Sequence, residues 1–172
     1  QRTRLIFDLT TNIIFILPGI LIAILVMSVA GQSMKGLIFA LILTGWTGYA
    51  KISRGEVKRI LGLPYVESAK AIGMGEIRLF FKVVFPALLP IILVNVVMGF
   101  SGVILSEAAL GFLGLGGSPY SWGNILSGAK TVILEAPHVA VVASLTLGGL
   151  IVGLNLLGDG LRDYLDPRQE LK

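Results

Sequence analysis

Apolar residues in this chain gather into runs long enough to cross a bilayer, and one polar stretch separates them. Four runs stand out, at about Asn12–Ala30, Gly36–Ile52, Val83–Leu105 and His138–Leu157. Each approaches the roughly 20 residues that carry an α-helix across ~30 Å of hydrocarbon. A lone strand in lipid leaves its backbone polar groups unsatisfied, so the runs predict helices. Pro18, Pro86 and Pro90 fall near run ends or in first turns, where a missing N–H costs least. The expected fold is all-α and integral to the membrane, a single domain over residues 1–172.

The interruption, Tyr65–Pro86, holds two acids, three bases and two glycines. A stretch that polar between spans belongs in water, and its pattern predicts two short helices. The first covers about Val66–Ile72. Glu67 lies in its first turn, where the helix dipole favours an acid, and Lys70 is placed for a surface pair with it. Gly73 is suited to the left-handed conformation that ends a helix. The second starts near Gly75-Glu76, sets Ile77, Phe80, Phe81 and Val84 at helical spacing, and runs into the third span at Pro86.

Composition narrows the class. Of 172 residues, 55% are hydrophobic and 14% charged, against about 25% charged in soluble domains. Having no cysteine excludes disulfides and thiolate metal sites, and one histidine, His138, cannot form a histidine cluster. Arg2 and Arg4 precede the first run, seven basic residues from Lys51 to Lys82 separate the second and third, and Arg162, Arg168 and Lys172 follow the fourth. Only Lys35 and Lys130 fall on the other side. This twelve-to-two split puts both ends and the Lys51–Lys82 loop in the cytoplasm. It also accounts for the net charge of +4 without nucleic acid. Arg2 and Arg4 ahead of an apolar run mimic a signal peptide, but no small-residue cleavage motif leading to a soluble domain follows. A chain opening at Gln1 is expected to be a piece of a longer or processed protein.

The polar loop resembles the EAA loop of binding-protein-dependent ABC importer permeases. That pattern is Glu-Ala-Ala, three residues, Gly, nine residues, then Ile-x-Leu-Pro. Here stand Glu67-Ser68-Ala69, three residues, Gly73, nine residues, then Val83-Val84-Phe85-Pro86. The spacing matches throughout, with Ser68 in place of an alanine. Other stretches are similar to the dipeptide/oligopeptide/nickel branch, in its C-type subunit: Gly45-Trp46-Thr47-Gly48-Tyr49-Ala50-Lys51 before Arg54-Gly55, Glu107 to Gly116, Ser121-Trp122-Gly123-Asn124, and Asn155 to Asp163 ending in Asp166-Pro167-Arg168. The resemblance covers nearly the whole chain. Such subunits have six spans, so two are expected to be absent here, and the loop after Gly116 is shorter than usual.

The resemblance implies a type I ABC importer transmembrane domain of the MetI-like fold, in a bacterial or archaeal cytoplasmic membrane, with residues 53–85 as its cytoplasmic coupling loop. Partners would be two cytoplasmic ATPase subunits, a homologous permease subunit, an extracytoplasmic substrate-binding protein and membrane lipid. ATP and Mg would bind the ATPases, and this chain itself would bind no cofactor and catalyse nothing. Glu67, Ser68, Ala69, Lys70, Ala71, Gly73 and Pro86 would form the ATPase-docking element, Glu67 offering its carboxylate to a basic group. The implied cargo is di- or oligopeptides, with nickel as the alternative. A secondary transporter or channel is a more distant one, which would need charged or broken helices at mid-membrane. A membrane enzyme would need a catalytic constellation, and none stands out.

Other polar residues inside apolar runs are expected to be structural first. Glu107 reads as the start of a short external or re-entrant segment after a helix ending near Leu105, with contact to substrate or binding protein as the sharper role. Asn95 reads as a helix–helix hydrogen bond. Gly45 and Gly48, and Gly148, Gly149 and Gly153, let helices approach closely, within the chain or against a second subunit. Glycines 111, 114, 116 and 117 do not form a phosphate loop, because no Gly-Lys-Ser/Thr follows and no strand precedes them. Ser118 to Trp122 reads as an external turn whose Trp122 anchors at the interface or touches a binding protein. His138 alone is weak support for a nickel site. Asp159, Asp163 and Asp166 read as a solvated cytoplasmic tail, or as a surface docked on the ATPase.

Overall fold

Helix ends in this chain follow its prolines, glycines and serines. The computed structural model describes residues 2–165, so Asp166, Pro167, Arg168 and Lys172 lie outside the described residues. In order come α1 (Arg2–Ile16), α2 (Gly19–Ala30), α3 (Met34–Leu61), α4 (Pro64–Ala71) and α5 (Glu76–Leu79), then a π-helical turn (Phe80–Val84) leading directly into α6 (Phe85–Phe112), α7 (Trp122–Ala129) and α8 (Pro137–Leu165). No strand occurs among the described residues. Among the described residues three helices are long and apolar enough to cross a membrane, and a bent pair, Leu9–Ile16 with Gly19–Ala30, makes a fourth candidate.

That bent pair corrects the first predicted span. Asn12–Ala30 is two helices meeting at 87°, not one straight rod. Pro18 caps α2 at φ −56 and ψ 121, outside helical geometry. Its ring lacks an N–H and crowds the preceding turn, so α1 cannot continue through it. The remaining spans are longer than predicted. α3 runs nine residues past Ile52, because Ser53 to Leu61 are amphipathic rather than helix-breaking. It therefore takes up the first part of the 53–85 interval.

The third span is one continuous helix, Glu76–Phe112, of 37 residues, or about 55 Å at ~1.5 Å per residue. Pro86 sits inside it. The π turn just before Pro86, closed by Phe85 N–H donating to the Phe80 carbonyl, accommodates the proline. A wider turn relieves the clash between the ring and the carbonyl four residues back. At its other end the helix does not stop near Leu105. Ser106 to Leu110 favour helix, and the stop comes at Gly114, φ +79, where Leu115 N–H bonds to Leu110 O (2.8 Å) and Gly114 N–H to Gly111 O (3.0 Å). Glu107 is thus half-buried within α6, not the start of a re-entrant segment.

Two cores hold the bundle together. At one end Ala23, Met27, Leu37, Ala40 and Leu110 join α2, α3 and α6. At the other, Ile60, Val66, Leu79, Val84 and Leu88 join α3, α4, α5 and α6. α6 and α8 run antiparallel, since Ser101 Oγ donates to Asn155 Oδ1 (3.4 Å) while Met98 lies against Gly158. This is the interhelical bond expected of Asn95. Asn95 instead donates to Ile91 O of its own helix (2.7 Å). α8 extends past Leu157 to Leu165, so Asp159 and Asp163 lie on a helix rather than a tail. Much apolar surface points outward, Val29 at 90% and Leu145 at 71% exposure among it. That is the surface of a protein whose surroundings are lipid or other apolar helices.

Candidate functional site

α4 is built by its neighbours in sequence. Leu63 is extended, ψ 143, as a residue before proline must be. Pro64 opens the helix, where its missing N–H would have no partner in any case. Glu67 lies in the first turn and Lys70 in the last, each favoured there by the helix dipole. The end is a Schellman motif: Met74 N–H donates to Ala69 O (3.2 Å) and Gly73 N–H to Lys70 O (2.9 Å), with Gly73 at φ +84. Gly75 is then extended and α5 begins at Glu76.

One face of α4 is fixed and the other is open. Val66, fully buried, packs with Ile60 of α3, Leu79 of α5 and Leu88 of α6, and Ala69 and Met74 pack against the same cluster. The open face carries two stripes: Tyr65, Ser68 and Ile72, and Glu67, Lys70 and Ala71. Ile72 is 81% exposed. The predicted Glu67–Lys70 pair is not made. Among the described residues the Glu67 carboxylate has neither an ion-pair nor a hydrogen-bond partner. Ser68, the departure from the motif, donates to the Pro64 carbonyl one turn back (3.0 Å), which satisfies its hydroxyl without using the open face.

The structure therefore brings Glu67, Ser68, Lys70, Ala71 and Gly73 onto one exposed element. Ala69 is turned toward the chain's own core. Pro86 stands apart, exposed in the first turn of α6 beyond the π turn. Of the predicted stripe Ile77, Phe80, Phe81 and Val84, only Val84 is buried. The three phenylalanines 80, 81 and 85 cluster on the outer side, with ring centroids 5.2 to 6.5 Å apart. Tyr65 and Ile72 were not singled out from sequence. Large apolar residues in an otherwise polar loop were the signal available.

The opposite end is a glycine-packed cap. Ser121 caps α7, accepting from Asn124 N–H (3.2 Å), and Asn124 Nδ2 donates to the Ser118 carbonyl. A Cβ on Gly123 would run into the Ala108 carbonyl, and one on Gly111 would meet Ser121 and Gly123. α7 thus lies backbone to backbone on α6. Gly117 likewise sits against Met34 and Leu37 of α3. This is what the glycine-rich stretch does, and Trp122 is half-buried as the first residue of α7. α7 was missed from sequence, although Trp122, Ile125, Leu126 and Ala129 keep helical spacing behind a serine cap. Glu107 lies one residue before the Ala108 contact point. His138 is exposed in the first turn of α8. Among the described residues no three His, Cys, Asp or Glu side chains group as a metal site.

The small residues divide into two kinds. Gly99 receives the Tyr49 hydroxyl and Gly158 receives Met98, both inside the chain. Gly45, Gly48, Gly148, Gly149 and Gly153 face open space, so none of these five serves packing between the described helices.

Comparison with known proteins adds to this geometry. A family model described as binding-protein-dependent transport system inner membrane component matches residues 1–171. The glutathione transport system permease protein GsiD of Pectobacterium atrosepticum is 36% identical over 159 residues, which are 91% of this chain and 53% of that protein. The proteins of the same name from Escherichia coli O1:K1 / APEC and Shigella flexneri serotype 5b are also 36% identical, over 91% of this chain and 52% of theirs. The chain spans about half the length of the curated relatives it matches.

Proposed function

The chain belongs to the family of binding-protein-dependent transport system inner membrane components, and from that premise we propose that it acts as a permease subunit of an ATP-driven importer. The observation that carries the reading is α4: a short, capped helix with Glu67 unpaired on its open face and Val66 anchored between α3 and α6. A load applied to the open face reaches the ends of two candidate spans through one buried side chain. In this reading two ATPase subunits, which hold ATP and Mg, grip the Tyr65–Ile72 face and Glu67. Their closure pushes α4, and α3 and α6 rock with it.

The twelve-to-two division of basic residues supports placing α4 in the cytoplasm. The glycine-packed cap around α7 then faces outward, where Trp122 and Glu107 are placed for substrate or binding protein. The open glycines of α3 and α8 suit close approach by a homologous permease subunit. The word glutathione in the relatives' names favours peptide-like cargo. The test is Glu67→Lys in the complete transporter. Uptake is expected to fall to background while membrane insertion stays normal, since breaking a buried charge pair costs about 2–5 kcal/mol. Uptake at the wild-type rate would sink the proposal.

A further inference from the structure

A cavity of about 270 Å³ lies between α1 and α3, away from α4, and its lining is basic. Lys51, Arg54 and Lys58 reach it from one face of α3 at helical spacing, and Thr11 and Asn12 border it from α1. Lys51 is at the end of the apolar run Gly36–Ile52, so the cavity sits at the depth of lipid headgroups. The lysine and arginine heads are steadied by aromatic rings, Lys51 Nζ 3.8 Å from the Phe15 centroid and Arg54 Cζ 5.6 Å from that of Phe7. The Phe15 ring orients the Lys51 ammonium without cancelling its charge. Glu56, the one acid between Lys51 and Lys58, is turned to Arg59 at 2.7 Å.

We propose that this cavity binds the phosphodiester headgroup of an anionic phospholipid. Lys51 and Lys58 supply the charge, and the Asn12 amide supplies a hydrogen-bond donor. The occupant is a lipid rather than a soluble phosphate because of what borders the cavity on α1. Phe7, in the cavity lining, and Phe15, against Lys51, are both exposed, apolar surface that acyl chains cover and a free anion does not. Basic pockets at the water boundary of membrane helices are a recurrent setting for such headgroups. The inference needs only that the chain spans a membrane, so it stands or falls apart from the transport reading.

The experiment uses the full-length protein with Trp122→Phe and any tryptophan outside residues 1–172 likewise replaced, in vesicles of phosphatidylcholine with or without phosphatidylglycerol, each lipid in turn brominated on its acyl chains. Trp46 is the reporter, its ring 6.4 Å from that of Phe7 at the cavity edge. Brominated phosphatidylglycerol is expected to quench Trp46 more than brominated phosphatidylcholine at equal content. Lys51→Gln with Lys58→Gln should weaken that preference about fivefold per lysine, at the surface attraction typical of one cation. Lys51→Arg with Lys58→Arg should keep it, as should Lys82→Gln, a lysine at the same end but outside the cavity. Equal quenching by the two lipids would overturn the proposal, whether the cavity is empty or filled by another part of the protein. So would full displacement of the effect by soluble glycerol phosphate.

Discussion

Gly73 separates backbone conformation from every other contribution at α4. It sits at φ +84, and a Cβ built there meets nothing within 4 Å. Gly73→Ala therefore causes no collision, and its whole cost is the left-handed conformation, about 1–2 kcal/mol for a residue with a Cβ. Against this, alanine narrows the freedom of the opened loop, which returns ~0.4–1 kcal/mol. From the middle of the two ranges the net is about 0.8 kcal/mol, which shifts local opening of the Schellman motif about fourfold. Trypsin reads it directly, because Lys70 and Arg78 flank the motif and become cleavable when it opens. Cleavage in the folded, detergent-solubilised protein should quicken by that factor while global unfolding changes little, provided reclosing outpaces cleavage. Gly73→Asn should fall between the two, since asparagine visits this region more readily. An alanine variant cut no faster than wild type, or an asparagine variant cut faster than alanine, would refute the conformational argument.

Three further outcomes follow from contacts and exposure. Gly99→Ala should destabilise by about 1–3 kcal/mol through collision with the Tyr49 hydroxyl, and adding Tyr49→Phe, which removes that oxygen, should recover part of it in a thermal melt, giving a measurable coupling. Gly123→Ala should be worse than Gly99→Ala, because the obstacle is the Ala108 carbonyl, which is backbone and cannot swing aside; equal melting temperatures would contradict the close helix contact. Ile72→Cys should be labelled by a membrane-impermeant thiol reagent in inverted vesicles stripped of their ATPase subunits but not in intact cells. Residues 1–172 hold no cysteine, any elsewhere in the protein is replaced by serine, and labelling from outside would reverse the proposed orientation.

Much of α4 was legible in sequence because its signals are local. Pro64, Glu67 and Gly73 each act within one turn, and the helix formed within two residues of its expected start. Which face would be buried was not legible. Val66 and Ala69 face inward only because Ile60, Leu79 and Leu88, from three other elements, converge there. The break at Pro18 and the run-through at Pro86 show the same limit. Proline chemistry is identical at both, yet a preceding π turn tolerates one and an 87° bend resolves the other.

The sequence by itself determined the class, the number of apolar runs and the one polar loop between them. Hydropathy and charge are sums over neighbouring residues and need no tertiary information. It did not determine which small residues pack inward. Gly99 and Gly123 are closed by partners far along the chain, while Gly45 and Gly148 stay open. In lipid, apolar residues gain little by facing one another. Hydrophobicity therefore carries no record of which helix faces meet, and only the tertiary arrangement decided it.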